Sequence, residues 1–286
     1  MKKVIGPFKL YEKKPNDITH GYLYECLFDT PLPKENKRMV RVFVPEDYFT
    51  NKSKRYGVCY MSDGQNLVDK YLSAYGEWDI DEHNFALMNE GYDGLIYVGI
   101  DCPKDSKARS AELTPSICDI KKSRLKGMQN YTQCGELYLD FIFDTLKPII
   151  DENFKTKKDR KHTFFGGSSM GGLIAFFAAF YKSEMLSGVL SFSPALFLMK
   201  IKSLKNFLSE VIAMKKMNTH IALLVGGKDF EHLFIHSTYI AYNYLLKHGY
   251  KDSEVSLVMD TKRKHHESFW SDYFEDGMRF LLDNYK

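Results

Sequence analysis

With 286 residues, 44% hydrophobic and 15% aromatic, the chain has enough apolar surface to bury one large core. Its 40 Lys and Arg against 37 Asp and Glu leave a net charge of +3 spread along the sequence, which points away from nucleic acid and from anionic membrane surfaces. The apolar run after Met1-Lys2-Lys3 is broken at Lys9 and again at Glu12, too soon for a signal peptide, and no uncharged run approaches membrane-spanning length. The cysteines, Cys26, Cys59, Cys102, Cys118 and Cys134, are odd in number and scattered, with no C-x-x-C pair. A single domain over 1–286 in a reducing cytoplasm is expected, because no linker, repeat or low-complexity segment divides the chain.

Two strands are expected at 22–28 and 39–44, joined through Pro31-Leu32-Pro33 as an antiparallel start to a sheet. A third at 57–62 ends in Asp63-Gly64, a turn signal, and 81–90 is helical. The run at 94–100 suits a strand buried on both faces. A polar excursion follows over 101–130, and a segment that long without periodicity is more often functional than idle. From Thr132 the apolar positions Tyr138, Phe141, Ile142, Leu146 and Ile149 fall three and four apart, a helical face. Strands at 188–192, 220–225 and 255–259 then alternate with helices at 203–214, 231–247 and 267–282. Such alternation implies a mostly parallel, doubly wound α/β sheet of about eight strands with helices on both faces, ligands binding beyond the carboxyl ends of the strands.

The most informative stretch is Gly167-Ser168-Ser169-Met170-Gly171, a G-x-S-x-G pattern between the apolar run His162-Thr163-Phe164-Phe165 and the apolar segment 173–181. A serine on a sharp strand-to-helix turn needs very small residues two before and two after it, where the chain crowds on itself. The turn exposes the hydroxyl and frees the Met170 N–H for a developing oxyanion. A serine hydroxyl also needs a base, and the base a carboxylate, in the order serine, acid, histidine. Asp229, just past the strand ending at Val225, is the first choice for the acid, with Glu231 next; its ordinary alternative is a helix N-cap. His265 is the first choice for the base, with His266 as its rival. His232 and His236 have the spacing of a zinc pair but no third ligand suggests itself, so neither metal nor organic cofactor is expected. The second oxyanion donor is expected in Asp63-Gly64-Gln65-Asn66, from the Gln65 or Gly64 N–H. Arg109, in the 101–130 excursion with Glu112, could hold a polar or anionic part of a substrate. Trp78 and Trp270 serve either as core or as a wall for an apolar acyl group.

With these residues placed, the sequence resembles the putative esterase family of α/β-hydrolases, the group of enterochelin esterase-like, feruloyl esterase-like and esterase D-like proteins and the mycolyltransferases. Arg41-Val-Phe-Val-Pro-Glu-Asp-Tyr48 is similar to its opening strand, and Tyr60-Met-Ser-Asp-Gly-Gln-Asn-Leu67 to its oxyanion loop, with Ser62 where a histidine is common. Val98-Gly-Ile100 with Arg109 and Glu112-Leu-Thr-Pro115, Lys147-Pro-Ile-Ile-Asp151, Gly167 to Gly172, Ser191-Phe-Ser-Pro194 and His265-His-Glu-Ser-Phe-Trp270 extend the likeness through most of the chain. The resemblance implies an α/β-hydrolase fold and a serine esterase with Ser169, Asp229 and His265 as its triad, acting on a siderophore lactone, a phenolic or acetyl sugar ester, or another acyl ester. Acyl transfer on the same triad and a non-catalytic ligand-binding member of the fold are the alternatives.

Overall fold

The computed structural model describes residues 2–120 and 132–284, so the last third of the 101–130 excursion lies outside them. Ten strands form one sheet in the order β1-β2-β3-β4-β6-β5-β7-β8-β9-β10. β1 (Val4–Ile5), β2 (Phe8–Leu10), β3 (Gly21–Asp29) and β4 (Lys37–Pro45) run antiparallel to their neighbours, and β4 meets β6 (Leu95–Ile100) antiparallel as well. From β6 onward, β5 (Gly57–Ser62), β7 (Thr163–Ser168), β8 (Gly188–Phe192), β9 (His220–Gly226) and β10 (Val255–Asp260) pair in parallel. Among the described residues the count is ten, against about eight expected. The N-terminal β1 and β2, of two and three residues, are too short to show an alternation.

Alternation along each strand sends successive side chains to opposite faces. In β5, Val58 and Tyr60 join one core and Cys59 and Met61 the other. The first core is closed by α5 (Met170–Tyr181), whose Leu173, Phe176, Phe177 and Phe180 are buried, each large side chain contributing about 1.5–3 kcal/mol relative to exposure. The second packs α1 (Ile80–Asn89) and α9 (Phe274–Asp283) against the other face through Leu87, Met278 and Leu281. The helical stretch expected from Thr132 is α3 (Gly135–Asp140), a π-helical turn Phe141–Leu146 and α4 (Lys147–Asn153), while α2 (Ser106–Glu112) lies inside the polar excursion. α6 (Ile201–Met214) and α7 (His232–Lys247) follow β8 and β9, and α8 (Glu267–Asp272) follows β10. Among the described residues no helix is long and apolar enough to cross a membrane. Because β5 to β10 are parallel, Ser62, Ser168, Phe192, Gly226 and Asp260 end at the same edge of the sheet, and the site is assembled there.

Candidate active site

Ser169 joins β7 to α5 with φ 59° and ψ −117°, a conformation that costs a non-glycine residue roughly 1–3 kcal/mol. The surroundings hold it there: the Ser169 N–H donates to the Phe192 carbonyl at 2.9 Å and its carbonyl accepts from the Ala195 N–H at 3.0 Å. Glycine is required on both sides of the turn. A Cβ on Gly167 would lie 2.8 Å from the Gly171 carbonyl carbon, and one on Gly172 2.3 Å from the Phe192 carbonyl oxygen. Ser168 is buried within β7, whereas Ser169 is partly exposed. Met170 opens α5, where the first N–H groups have no acceptor in the helix.

Beside the elbow, β5 ends at Ser62 and the chain turns through Asp63, which has φ 58° and ψ 48°, into a 3₁₀ turn over Gly64–Asn66. Here the backbone passes directly over β6. A Cβ on Gly64 would sit 2.5 Å from the Gly99 carbonyl carbon and one on Gly99 2.6 Å from the Gly64 Cα, so each position requires glycine. The Gln65 side chain anchors the turn, accepting from the Cys102 N–H at 3.0 Å and donating to its Sγ at 3.3 Å. Ser62 accepts a hydrogen bond from the Tyr138 hydroxyl at 3.3 Å.

Arg109 is held by a partner within the chain. Its Nε and Nη2 donate to the two carboxylate oxygens of Asp63 at 2.6 and 2.7 Å, a bidentate pair that clamps the residue initiating the Gly64–Asn66 turn. The Asp63 carboxylate in turn raises the Arg109 pKa, outweighing burial, which alone would lower it. Glu112 departs from expectation in the same way. Its side chain, 3% exposed, pairs with Arg38 at 2.8 Å, and burial pushes its carboxyl up to about 7 against the pull of that guanidinium. The excursion therefore braces the site from behind.

At the other end of the site, His265 Nδ1 is hydrogen-bonded to Glu231 Oε2. Glu231 is fully buried, accepts from the Gly226 N–H at 2.9 Å and also accepts from the Ser193 hydroxyl. Ser193 in turn receives the Trp270 indole N–H at 3.0 Å. Ser193 lies between Phe192 and Ala195, the residues that bond the Ser169 backbone, so one short segment ties the elbow to the carboxylate behind His265.

The acid expected from the sequence, Asp229, is not that carboxylate. At φ 55° its side chain turns outward, 60% exposed, and pairs with Lys264 at 2.9 Å, which holds its carboxyl below the usual range. A 3₁₀ turn over Asp229–Glu231 then points Glu231 back toward the end of β9, against Gly226, where a Cβ would lie 2.6 Å from Glu231 Cγ. The two histidines also separate. His265 packs among Phe234, Trp270 and Phe230, with ring centroids at 4.8, 4.9 and 5.6 Å, while exposed His266 caps α8 by accepting the Ser268 N–H at 3.1 Å. Trp78 and Trp270, 3% and 4% exposed, belong to the second core, where Trp78 stacks on Phe192 and lies 5.9 Å from Trp270, rather than to an open wall. Glu267, buried at the start of α8, receives Asn66 Nδ2 at 3.3 Å and so joins the α8 segment to the Gly64–Asn66 turn. Among the described residues no three His, Cys, Asp or Glu side chains are grouped to hold a metal, and the His232 ring is bonded to the Asp229 carbonyl oxygen.

Residues 34–272 match the family model described as "Putative esterase". The chain belongs to that family. It is accordingly a carboxylic ester hydrolase, and its relatives agree in architecture. The uncharacterized protein YbbA of Bacillus subtilis (strain 168) is 22% identical over 254 residues, covering 87% of this chain and 94% of its own. Among solved structures, the BES protein from Bacillus cereus superposes with a TM-score of 0.68 at 18% identity over 95% of this chain and 99% of its own. An IroE-like serine hydrolase from Shewanella oneidensis does so at 0.68 and 18%, over 92% and 80%. The esterase with this sheet thus has an α/β-hydrolase fold.

Proposed function

We propose that this esterase works through an acyl-enzyme on Ser169, with His265 as general base and Glu231 as the carboxylate behind it. The observation that carries the reading is the hydrogen bond from His265 Nδ1 to a carboxylate with no solvent exposure, on the segment network that also holds the Ser169 backbone. Engaging Nδ1–H with Glu231 leaves Nε2 to take the Ser169 proton as Oγ attacks the ester carbonyl. The Met170 N–H, with the Gln65 or Gly64 N–H, stabilises the tetrahedral oxyanion. His265 then returns its proton to the departing alkoxide, and water, activated by the same imidazole, releases the acid and regenerates Ser169. Gly226 N–H and the Ser193 hydroxyl fix the carboxylate, so the imidazole keeps one tautomer and one orientation through both half-reactions.

A fluorophosphonate probe tests this reading directly. Wild-type enzyme should be labelled at Ser169, His266→Ala should react at a comparable rate, and His265→Ala should react at least about 100-fold more slowly, the usual contribution of a positioned base. Labelling at Ser168 would overturn Ser169 as the nucleophile, and equal rates for the two histidine variants would remove His265 from the mechanism.

Arg109 acts in this scheme by holding Asp63, and through it the oxyanion turn. Arg109→Ala should therefore lower kcat by about 10- to 100-fold, below the 10²–10³ for deleting an oxyanion donor, with KM changed by less than about threefold. Steady-state kinetics on a small neutral ester measure the split. A raised KM at constant kcat would instead put Arg109 on the substrate.

A further inference from the structure

A cavity of about 470 Å³ opens beside the site, between the segment leaving β8 and the first turns of α7. It is within the size range of small-molecule sites. Phe197, Leu233 and Ile240 supply its apolar lining. Its polar side chains include Lys200, His232 and His236. No carboxylate among the described residues lines it, and those nearby are engaged elsewhere: Glu231 with His265, Asp229 with Lys264, and Asp119 with the Ser203 hydroxyl.

The cavity adjoins the candidate site through a row of packed rings. Phe197 lies two residues after Ala195, which bonds the Ser169 carbonyl, and its ring packs on Phe234 and Phe230 at 4.5 and 5.7 Å. Those two rings are also in contact with the His265 imidazole. Phe197 is thus shared by the cavity lining and the ring cluster around His265, the closest approach of the cavity to Ser169's segment. The apolar surface suits a chain or a ring. The lysine and two imidazoles suit an anion at its far end, since an arriving carboxylate pairs with the ammonium and accepts hydrogen bonds from ring N–H groups.

We propose that the cavity selects esters in which one half is an apolar chain or ring ending in a carboxylate. This rests on Ser169 as the nucleophile. The lysine and both imidazoles are solvent-exposed, so selection should weaken as salt screens them.

Two matched ester pairs test it. One varies the acyl half, 4-nitrophenyl hexanoate against mono(4-nitrophenyl) adipate, and the other varies the alcohol half, 4-ethylphenyl acetate against 4-acetoxyphenylacetate. In one pair the carboxylate ester should have the higher kcat/KM by tenfold or more, and that pair identifies which half enters the cavity. Lys200→Glu should reverse the ratio, and 1 M salt should shrink it. Preference for the neutral ester in both pairs, or a ratio that Lys200→Glu leaves in place, overturns the proposal. Fluorophosphonate labelling of the wild type separates the two levels. Labelled enzyme without the preference rejects only the cavity assignment, whereas failure to label Ser169 rejects the mechanism beneath it.

Discussion

Ser169→Ala should lose about 10³-fold or more in kcat, and as much as 10⁶-fold if the remaining groups act only in concert with the hydroxyl. Its melting temperature should change little. The strained turn at φ 59° is fixed by the Phe192 and Ala195 backbone bonds and by the crowding of Gly167 against Gly171, none of which involves the hydroxyl. The substitution therefore removes chemistry without loosening the elbow. Hydrolysis of a short-chain aryl ester and a thermal melt, run on the same preparation, are the two measurements required. Retained turnover, or loss of turnover only in Ser168→Ala, would show that the nucleophile lies elsewhere.

The second large effect separates two carboxylates that stand two residues apart. Glu231→Gln keeps the shape of the buried side chain but replaces an acceptor-only group with an amide. Turnover should fall by about 10³- to 10⁴-fold as the imidazole loses its enforced tautomer. KM should stay within a few-fold, because the changed atoms lie behind His265 rather than against the ester. Asp229→Asn removes only a solvent-screened surface pair with Lys264 and should leave kcat within about threefold of wild type. Kinetics on the two variants side by side give the answer. A severe defect in Asp229→Asn with a mild one in Glu231→Gln would reinstate the order expected from the sequence.

That reversal shows where reading the chain by eye runs out. The strand leading into Ser169, the glycines around it, the acidic residues after β9 and the histidine are all legible, because each follows from a local pattern: apolar runs, turn residues and spacing along the chain. Choosing between Asp229 and Glu231 depends on a single 3₁₀ turn and a left-handed residue, which swing one carboxylate out and the next one in. Nothing periodic records that. The one usable hint is Gly226-Gly227 before the pair, since the first of these glycines makes room for Glu231. Arg109 illustrates a different limit. Its partner, Asp63, is 46 residues earlier, and only the alignment of α2 beside the end of β5 brings the two together. Without that contact an arginine in a long polar segment reads as a hand held out to solvent. The ten-strand count is the third case: hydrogen bonding to β3 extends the sheet with pieces too short for any alternation to register.

The aromatic cluster around His265 has a use beyond packing. The chain contains two tryptophans: Trp270 meets the imidazole edge-on at 4.9 Å, and Trp78 lies behind it, 5.9 Å from Trp270. The protein's entire indole emission thus originates next to the proposed base, with Trp270 also hydrogen-bonded to the Ser193 that supports Glu231. Intrinsic fluorescence excited at the indole band is in effect a built-in optical gauge of this one locality. A change at the imidazole, or in the Ser193 bond when an acyl group arrives, alters the surroundings of Trp270 directly, and the other indole is its neighbour. The proposed acyl-enzyme should therefore be visible in real time on unmodified protein as a transient in this emission, even for esters whose products carry no chromophore.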